Sequence, residues 1–388
     1  MRKLGDLFEF INGRGFKKTE WKSDGLPIIR IQNLNNPNAS FNYFDGTYDK
    51  KIEVNAGDLL FSWSGTVGSS FGAHIWDRSK GVLNQHIFKL KFKENILRDY
   101  AFYGLRFITS DIEKKVNGAV GLVHITKEKL NKFEIPLPPL DEQQEIVSIL
   151  DDAFESIERA KSNAEQNLKN AKELFNVYLH KYFTNKEDGW EEKSLKDVAE
   201  YFNGLTYSPK NVSNEGMIVL RSSNIQEDKL DFKDIVRVDI KVKEKIIVRD
   251  GDILMCSRNG SQRLVGKTAT INNLNEVMTF GTFMMIIRSE YNPYLIWFFK
   301  STSFKNQISS GENTMINQIT RYMLDDISLS FPPVKIQNEI VSQLDSLSDK
   351  IKKLESIYQQ KLNDLEELKK SILQKAFNGE LKTSKISA

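Results

Sequence analysis

The chain has 388 residues, 40% of them hydrophobic, 28% charged and 11% aromatic, with a net charge of +3. That is the composition of a folded globular protein of two to four domains, and too mildly basic to argue for nucleic-acid binding without a local basic face. One cysteine, Cys256, excludes an internal disulfide framework and a cysteine zinc site, and four scattered histidines lack metal-ligand spacing. No apolar run reaches the roughly 18 residues that a membrane helix needs. Met1-Arg-Lys-Leu-Gly-Asp has no apolar signal-peptide core, so a cytoplasmic location is expected.

In chain order, Leu4–Gly13 reads as a short amphipathic segment stopped by Asn-Gly. Ile28–Ile31 is an expected strand, followed by a loop over Asn33–Asn38. Gly57–Trp63 reads as a turn feeding a strand, and His86–Phe92 alternates apolar and polar as a half-buried strand does. Tyr100–Phe107 reads as an aromatic-rich helix and Leu130–Leu137 as an edge strand. A Pro-rich elbow, Ile135-Pro-Leu-Pro-Pro-Leu-Asp-Glu-Gln-Gln-Glu-Ile, then opens a long helix to about Phe183.

The same design returns. Pro139 matches Pro333, 194 residues on, where Leu329-Ser-Phe-Pro-Pro-Val-Lys-Ile-Gln-Asn-Glu-Ile opens a second long helix. Leu195–Gly204 matches Leu4–Gly13, Ile218–Ile225 matches Pro27–Leu34, and Gly251–Leu254 matches Gly57–Leu60 after a polar linker at Thr184–Gly189. Between these anchors the copies differ in length and identity. A repeated scaffold with divergent loops fits two modules doing one kind of job on two targets.

Alternating 3-4 spacing in the long helices predicts a coiled-coil seam. In the first it runs through Leu150, Ala153, Ile157, Ala160, Ala164, Asn167, Ala171, Leu174 and Tyr178. In the second it runs through Leu344, Leu347, Ile351, Leu354, Tyr358, Lys361, Leu365, Leu368 and Ile372. Asn167 and Lys361, at one register position, are the only polar members.

Enzyme motifs fall short. Gly260 to Gly266-Lys267-Thr268 has five residues between its glycines where a phosphate-binding loop has four, which reads as a basic Gly-rich loop. Asn292-Pro-Tyr294 lacks one proline of the amino-methyltransferase element and has no Gly-rich turn before it, which reads as a helix N-terminus. No nucleophile–base set or carboxylate pair can be assigned.

What does recur is polar and basic loop residues suited to DNA. Module one offers Arg14, Lys17, Lys18, Arg30, Gln32, Asn33, Ser62, Trp63, Ser64, Asn84 and Gln85. Module two offers Tyr207, Lys210, Arg221, Ser222, Asn224, Arg258, Asn259, Gln262, Arg263 and Lys267. Arginine matches guanine, and Asn or Gln matches adenine, through paired hydrogen bonds; Lys and Ser more often hold phosphate. The densest group is Ser257–Arg263. Arg30 and Arg221, at matching strand ends, have a structural alternative: pairing with Asp58 and Asp252 of the Gly-Asp turns.

Two variable modules, each followed by a long helix behind the Pro-Pro elbow, resemble the specificity subunit of type I restriction–modification systems over essentially the whole chain. The second elbow departs from the first, Lys335-Ile-Gln-Asn-Glu339 replacing Asp141-Glu-Gln-Gln-Glu145. The resemblance implies an α+β fold: two mixed α/β target recognition domains separated by two long helices in an antiparallel coiled coil, with an internal pseudo-two-fold repeat. The expected divisions are 1–138 and 184–332 for the recognition domains, 139–183 and 333–379 for the spacer helices, and 380–388 for a tail. Each domain would read half of an asymmetric bipartite site on double-stranded DNA, and about 40 helical residues would hold roughly 60 Å. The resemblance further implies no catalytic centre or cofactor on this chain, with S-adenosylmethionine carried by two modification subunits and restriction subunits joining through the complex. Gln143, Glu145, Gln337 and Glu339 at the helix starts are the expected partner-binding residues. The competing reading is a coiled-coil assembly protein whose duplicated modules bind proteins rather than DNA. An orphan methyltransferase is disfavoured by the failed motifs.

Overall fold

The structure is a computed structural model that describes residues 1–66, 70–116, 123–184, 189–309 and 318–381. The linker residues 185–188 and most of the tail lie outside the described residues. Contacts divide the chain into two units, Met1–Ala164 with Gln360–Ala388, and Glu165–Gln359. Each unit holds one module, the first half of one long helix and the second half of the other.

In the first unit, an antiparallel sheet places Phe8–Asn12, Ile87–Phe92, Leu59–Ser62 and Gly72–Ile75 side by side. A second, mixed sheet orders Asn42–Phe44, Leu26–Ile29, Gly81–Leu83 and Glu53–Val54, with the middle two strands parallel. The second unit repeats the first sheet as Glu200–Asn203, Met284–Arg288, Ile253–Cys256 and Thr268–Thr270. Its mixed sheet keeps the parallel pair, Met217–Leu220 with Met278–Phe280, but its remaining strands, Arg237–Val238 and Val212–Ser213, both lie on the Met217–Leu220 side. The antiparallel sheet and the parallel pair are shared, while the outer strands of the mixed sheet have diverged.

Backbone crowding explains the repeated Asn-Gly. A Cβ at Gly13 would lie 2.0 Å from the Asn84 carbonyl oxygen, and one at Gly204 would lie 2.1 Å from that of Gly281. Glycine alone fits so close an approach. The Gly-Asp turns are equally constrained. Gly57 and Gly251 have φ of +92° and +86°, and Asp58 and Asp252 accept the N–H of Asn55 (2.7 Å) and Arg249 (2.9 Å). Arg30 and Arg221 do not reach these aspartates. Lys89 pairs with Asp58 at 2.7 Å, and Arg288 grips Asp252 through two nitrogens, because the central strand of the antiparallel sheet runs directly beside the turn.

Several local expectations change. Leu4–Gly13 splits into a helical turn, Leu4–Leu7, and the edge strand Phe8–Asn12. The expected loop after Ile31 begins as a helix, Ile31–Asn35, and the expected strand at Leu130–Leu137 shrinks to Glu134–Ile135. There a helical turn, Lys127–Leu130, takes precedence because the Thr126 hydroxyl accepts the Lys129 N–H as a cap.

The long helices span Leu140–Thr184 and Val334–Phe377. They run antiparallel within each unit. In the first unit Glu158 meets Lys369 and Lys161 meets Glu366 at 2.8 Å, so three residues down one helix is three residues up the other. In the second, Lys172 meets Glu355 at 3.2 Å and Tyr182 donates to Gln343. Such exposed pairs stabilise little and chiefly record register.

The seam departs from strict 3-4 spacing. Leu150, Ile157, Ala164 and Leu344 are buried, whereas Leu174, Tyr178, Leu354 and Leu368 are exposed. Asn167 and Lys361 are also exposed, while their neighbours Leu168 and Leu362 are half-buried. A helix of 3.6 residues per turn drifts from a 3.5 repeat, and the last turns of the first helix bury Leu179 and Phe183 against the second module, with Phe175 packed beside them.

Candidate nucleic-acid interface

The Ser257–Arg263 segment projects from the core and is braced at its base. Its base is the buried strand Ile253–Cys256, where burial pushes the Cys256 thiol up from its ordinary value. Asn259 shapes the loop from within: its carbonyl oxygen accepts the Ser261 N–H at 2.9 Å and its amide donates to the Ser222 hydroxyl at 3.2 Å. The Lys267 ammonium is spent on the Ile225 carbonyl. Asn259 and Lys267, both half-buried, therefore hold the loop. Arg258, Gln262 and Arg263 are left exposed, with the Arg258 guanidinium 5.6 Å from the Phe283 ring centre.

Beside this loop lies a cleft of about 640 Å³. Asn203, Arg258, Phe283, Gln318, Arg321 and Tyr322 line it, with Asp325 at its margin. Phe283 is 54% exposed and Tyr322 82% exposed. Of these only Arg258 is legible in the sequence: Arg321 and Tyr322 sit on a short helix, Arg321–Asp325, that no periodicity announces, and Asn203, Phe283 and Gln318 lie in separate stretches with no motif.

Several other expected residues are engaged by bonds within the chain. Asn33 and Asn224 are 0% exposed, each accepting a backbone N–H, from Arg30 at 3.1 Å and from Arg221 at 2.8 Å. Their amides donate to nearby carbonyls, of Ser40 and of Asp231 among others. Both fasten the loop after a parallel strand and offer nothing to solvent. Ser62 is buried and donates to the Ser64 carbonyl at 2.9 Å. Arg14 is clamped by Glu20 and lies over Phe16 and Phe44; the Lys17 N–H and the Arg14 guanidinium hold the Glu20 carboxyl below the usual range. Arg30 bonds Asn42 at 2.8 Å, and Arg221 pairs with the exposed Asp234 at 2.7 Å.

Lys17, Lys18, Gln32, Gln85 and Lys210 are exposed, while Trp63, Ser64, Asn84, Tyr207 and Ser222 are half-buried. Trp63 is flanked by the His86 ring at 4.8 Å and the His124 ring at 4.6 Å between centres. Its indole nitrogen has no hydrogen-bond partner among the described residues.

The helix-start glutamines are also structural. Gln143 is buried, donates to the Pro138 carbonyl at 2.8 Å and accepts the Leu97 N–H at 2.9 Å. Gln337 is buried and donates to the Pro332 carbonyl at 2.8 Å. They lock the elbow between module and helix. Glu339 is exposed and Glu145 half-buried.

A family model described as the type I restriction modification DNA specificity domain matches residues 1–168 and again 187–367, one match to each repeat. The chain belongs to this family. Among specificity-domain relatives, it is 24% identical to the type I restriction enzyme MjaVIII specificity subunit of Methanocaldococcus jannaschii, over 99% of this chain and 93% of that protein. It is likewise 24% identical to the EcoBI specificity subunit of Escherichia coli, over 97% of this chain and 85% of the relative. Two solved structures share the fold at 18% identity. One, from work on complex assembly and conformational transition of a type I R-M system, gives a TM-score of 0.79 over 98% of this chain and 97% of that one. The other, the HsdS subunit of Thermoanaerobacter tengcongensis, gives 0.59 over 98% and 96%. Among the described residues no helix is long and apolar enough to cross a membrane.

Proposed function

We propose that this chain is the DNA-specificity subunit of a type I restriction–modification complex, and that each module reads one half of an asymmetric bipartite site. The observation that carries the reading is the paired family match, one copy on each of two modules that share strands and turns but not loops. Equal scaffolds give equal docking on DNA, and unequal loops give unequal half-sites. The long helices act as the spacer that sets the gap between half-sites. Two modification subunits carrying S-adenosylmethionine supply the methyl transfer and restriction subunits join through them, so this chain recognises without catalysing.

The residues proposed to meet DNA are those that remain accessible. In module two they are Arg258, Gln262 and Arg263, with Tyr207, Lys210 and Ser222 on the loops that follow other strands of the module. In module one they are Lys17, Lys18, Gln32, Trp63, Ser64, Asn84 and Gln85. Glu145 and Glu339 remain the helix-start candidates for partner contact.

The test is to assemble the chain with its modification subunits and map methylated adenines across a genome. A split, asymmetric motif is expected. Arg258→Ala with Arg263→Ala should relax the module-two half alone, since a lost paired contact to a base is worth about 1–3 kcal/mol. A duplicated protein-binding scaffold would instead give no sequence-specific, salt-dependent DNA binding in the presence of those subunits.

A further inference from the structure

Several backbone bonds at the cleft recur in the two modules. The Trp63 N–H donates to the His86 carbonyl at 3.0 Å, and the Ser257 N–H to that of Phe283 at 3.0 Å. The Ile125 N–H donates to the Trp63 carbonyl at 3.0 Å, and the Ile319 N–H to that of Ser257 at 2.7 Å. Ser64 bridges His124 as Arg258 bridges Gln318. Thr126 then caps one short helix as Thr320 caps the other. The backbone thus builds one surface twice. On it module one carries Trp63, His86, His124 and Glu128 where module two carries Ser257, Phe283, Gln318 and Tyr322. None of these four pairs shares a side chain, whereas Ile125 and Ile319, and Thr126 and Thr320, are identical.

A surface held fixed by backbone bonds, with different side chains at these four positions and most of them exposed, is what two readers of different sequences require; Ser257 is buried, and Trp63 and His86 are half-buried. In module two the surface is also concave. It brings two arginines, Arg258 and Arg321, against one acid, Asp325, and it holds Phe283 and Tyr322 out in water. Leaving two large aromatic rings exposed in one cleft is unfavourable in the free protein and is offset when they cover apolar surface. Duplex DNA offers such surface in thymine methyl groups and in the faces of base steps that an aromatic wedge opens, beside guanine acceptors that match arginine.

We infer that this cleft is where module two reads bases, with Phe283, Gln318, Arg321 and Tyr322 as specificity-determining residues beside Arg258, and that the Trp63–His86–His124 surface is its counterpart in module one. The inference rests on the DNA-specificity reading above and adds to it the place of reading. It shifts the weight from the Ser257–Arg263 loop alone to the whole rim around it, and from arginine alone to exposed aromatic rings.

The test uses the full chain in complex with its modification subunits, S-adenosylmethionine and a library of DNA sites randomised in both halves. Tyr322→Ala and Arg321→Ala, both exposed and so harmless to folding, are compared with the unaltered chain by sequencing the methylated products. The expected result is a loss of discrimination, on the order of tenfold at one or two positions, confined to the module-two half, with the module-one half kept. His124→Ala should do the reverse. If both halves keep their preferences in these variants while the unaltered complex methylates a bipartite site, the cleft is not the reading site and the specificity reading stands. Equal loss at every position would identify phosphate contacts and also overturn the inference. An unaltered complex that methylates no bipartite site would overturn the specificity reading and this inference with it.

Discussion

The Tyr103 hydroxyl donates to the Asp151 carboxylate, and 194 residues on, the Trp297 indole N–H donates to Asp345 at 3.1 Å. In each unit a helix of the module is thereby fastened to its own stretch of long helix by one bond at one position, with a different donor. Burial and the Asp151 charge push the Tyr103 phenol well above its ordinary value, so it remains the donor throughout the stable pH range. Tyr103→Phe keeps the ring packed edge-on against Phe154 and removes only the bond. A hydrogen bond to a charged, solvent-accessible acceptor contributes about 1 kcal/mol. Chemical denaturation should show a loss of that size with an unchanged denaturant slope; an unchanged midpoint would mean the bond adds nothing to docking.

Gln143 satisfies a carbonyl and an N–H where strand gives way to helix. Gln143→Ala would leave the Leu97 N–H and the Pro138 carbonyl without it, at about 1–3 kcal/mol for each group left buried and unpaired. Thermal unfolding should report the drop, and Gln337→Ala should act likewise in the second unit. Wild-type stability combined with weakened assembly would return these glutamines to a partner-binding role.

His74 lies on the strand Gly72–Ile75, where burial, with Arg106 adding a lesser repulsion, lowers its value from 6.5 to about 4. Above pH 6.5 the imidazole is neutral in folded and unfolded chains alike and pH has no effect through it. Between 6.5 and about 4 the unfolded chain takes up the proton first, so stability falls as the pH falls, and below about 4 the loss levels off. Unfolding free energies measured from pH 7 to 4 should decline less steeply for His74→Gln than for the unaltered chain. Parallel curves would place His74 in water.

Seven residues inserted into both long helices, after Ala164 and after Gln359, keep each helix close to its original facing and add about 10 Å. On duplex DNA that is about three base pairs of rise. Methylation mapping should show both half-sites unchanged and the gap longer by about that number. An active complex with its original gap would remove the helices from any measuring role.

The chain by itself determined the duplication, the elbows, the two helices and the Gly-Asp turns. These depend on local chemistry: prolines that end a strand, apolar spacing along one helix, glycines where a Cβ would collide. It also pointed to Ser257–Arg263 as the densest polar loop. The tertiary structure decided which polar residues are free. Asn33 and Asn224 read as adenine-matching side chains, and Gln143 and Gln337 as partner contacts, yet all four fill backbone bonds, because a buried N–H or carbonyl must be paired and a nearby amide does it. The half-burial of Leu168 and Leu362 beside the exposed Asn167 and Lys361 likewise followed from helical drift that a strict heptad does not contain. The cleft was hidden for a different reason: Phe283 and Arg258 are far in sequence from Gln318 and Tyr322, and the backbone bonds that recur in both modules bring them to one surface.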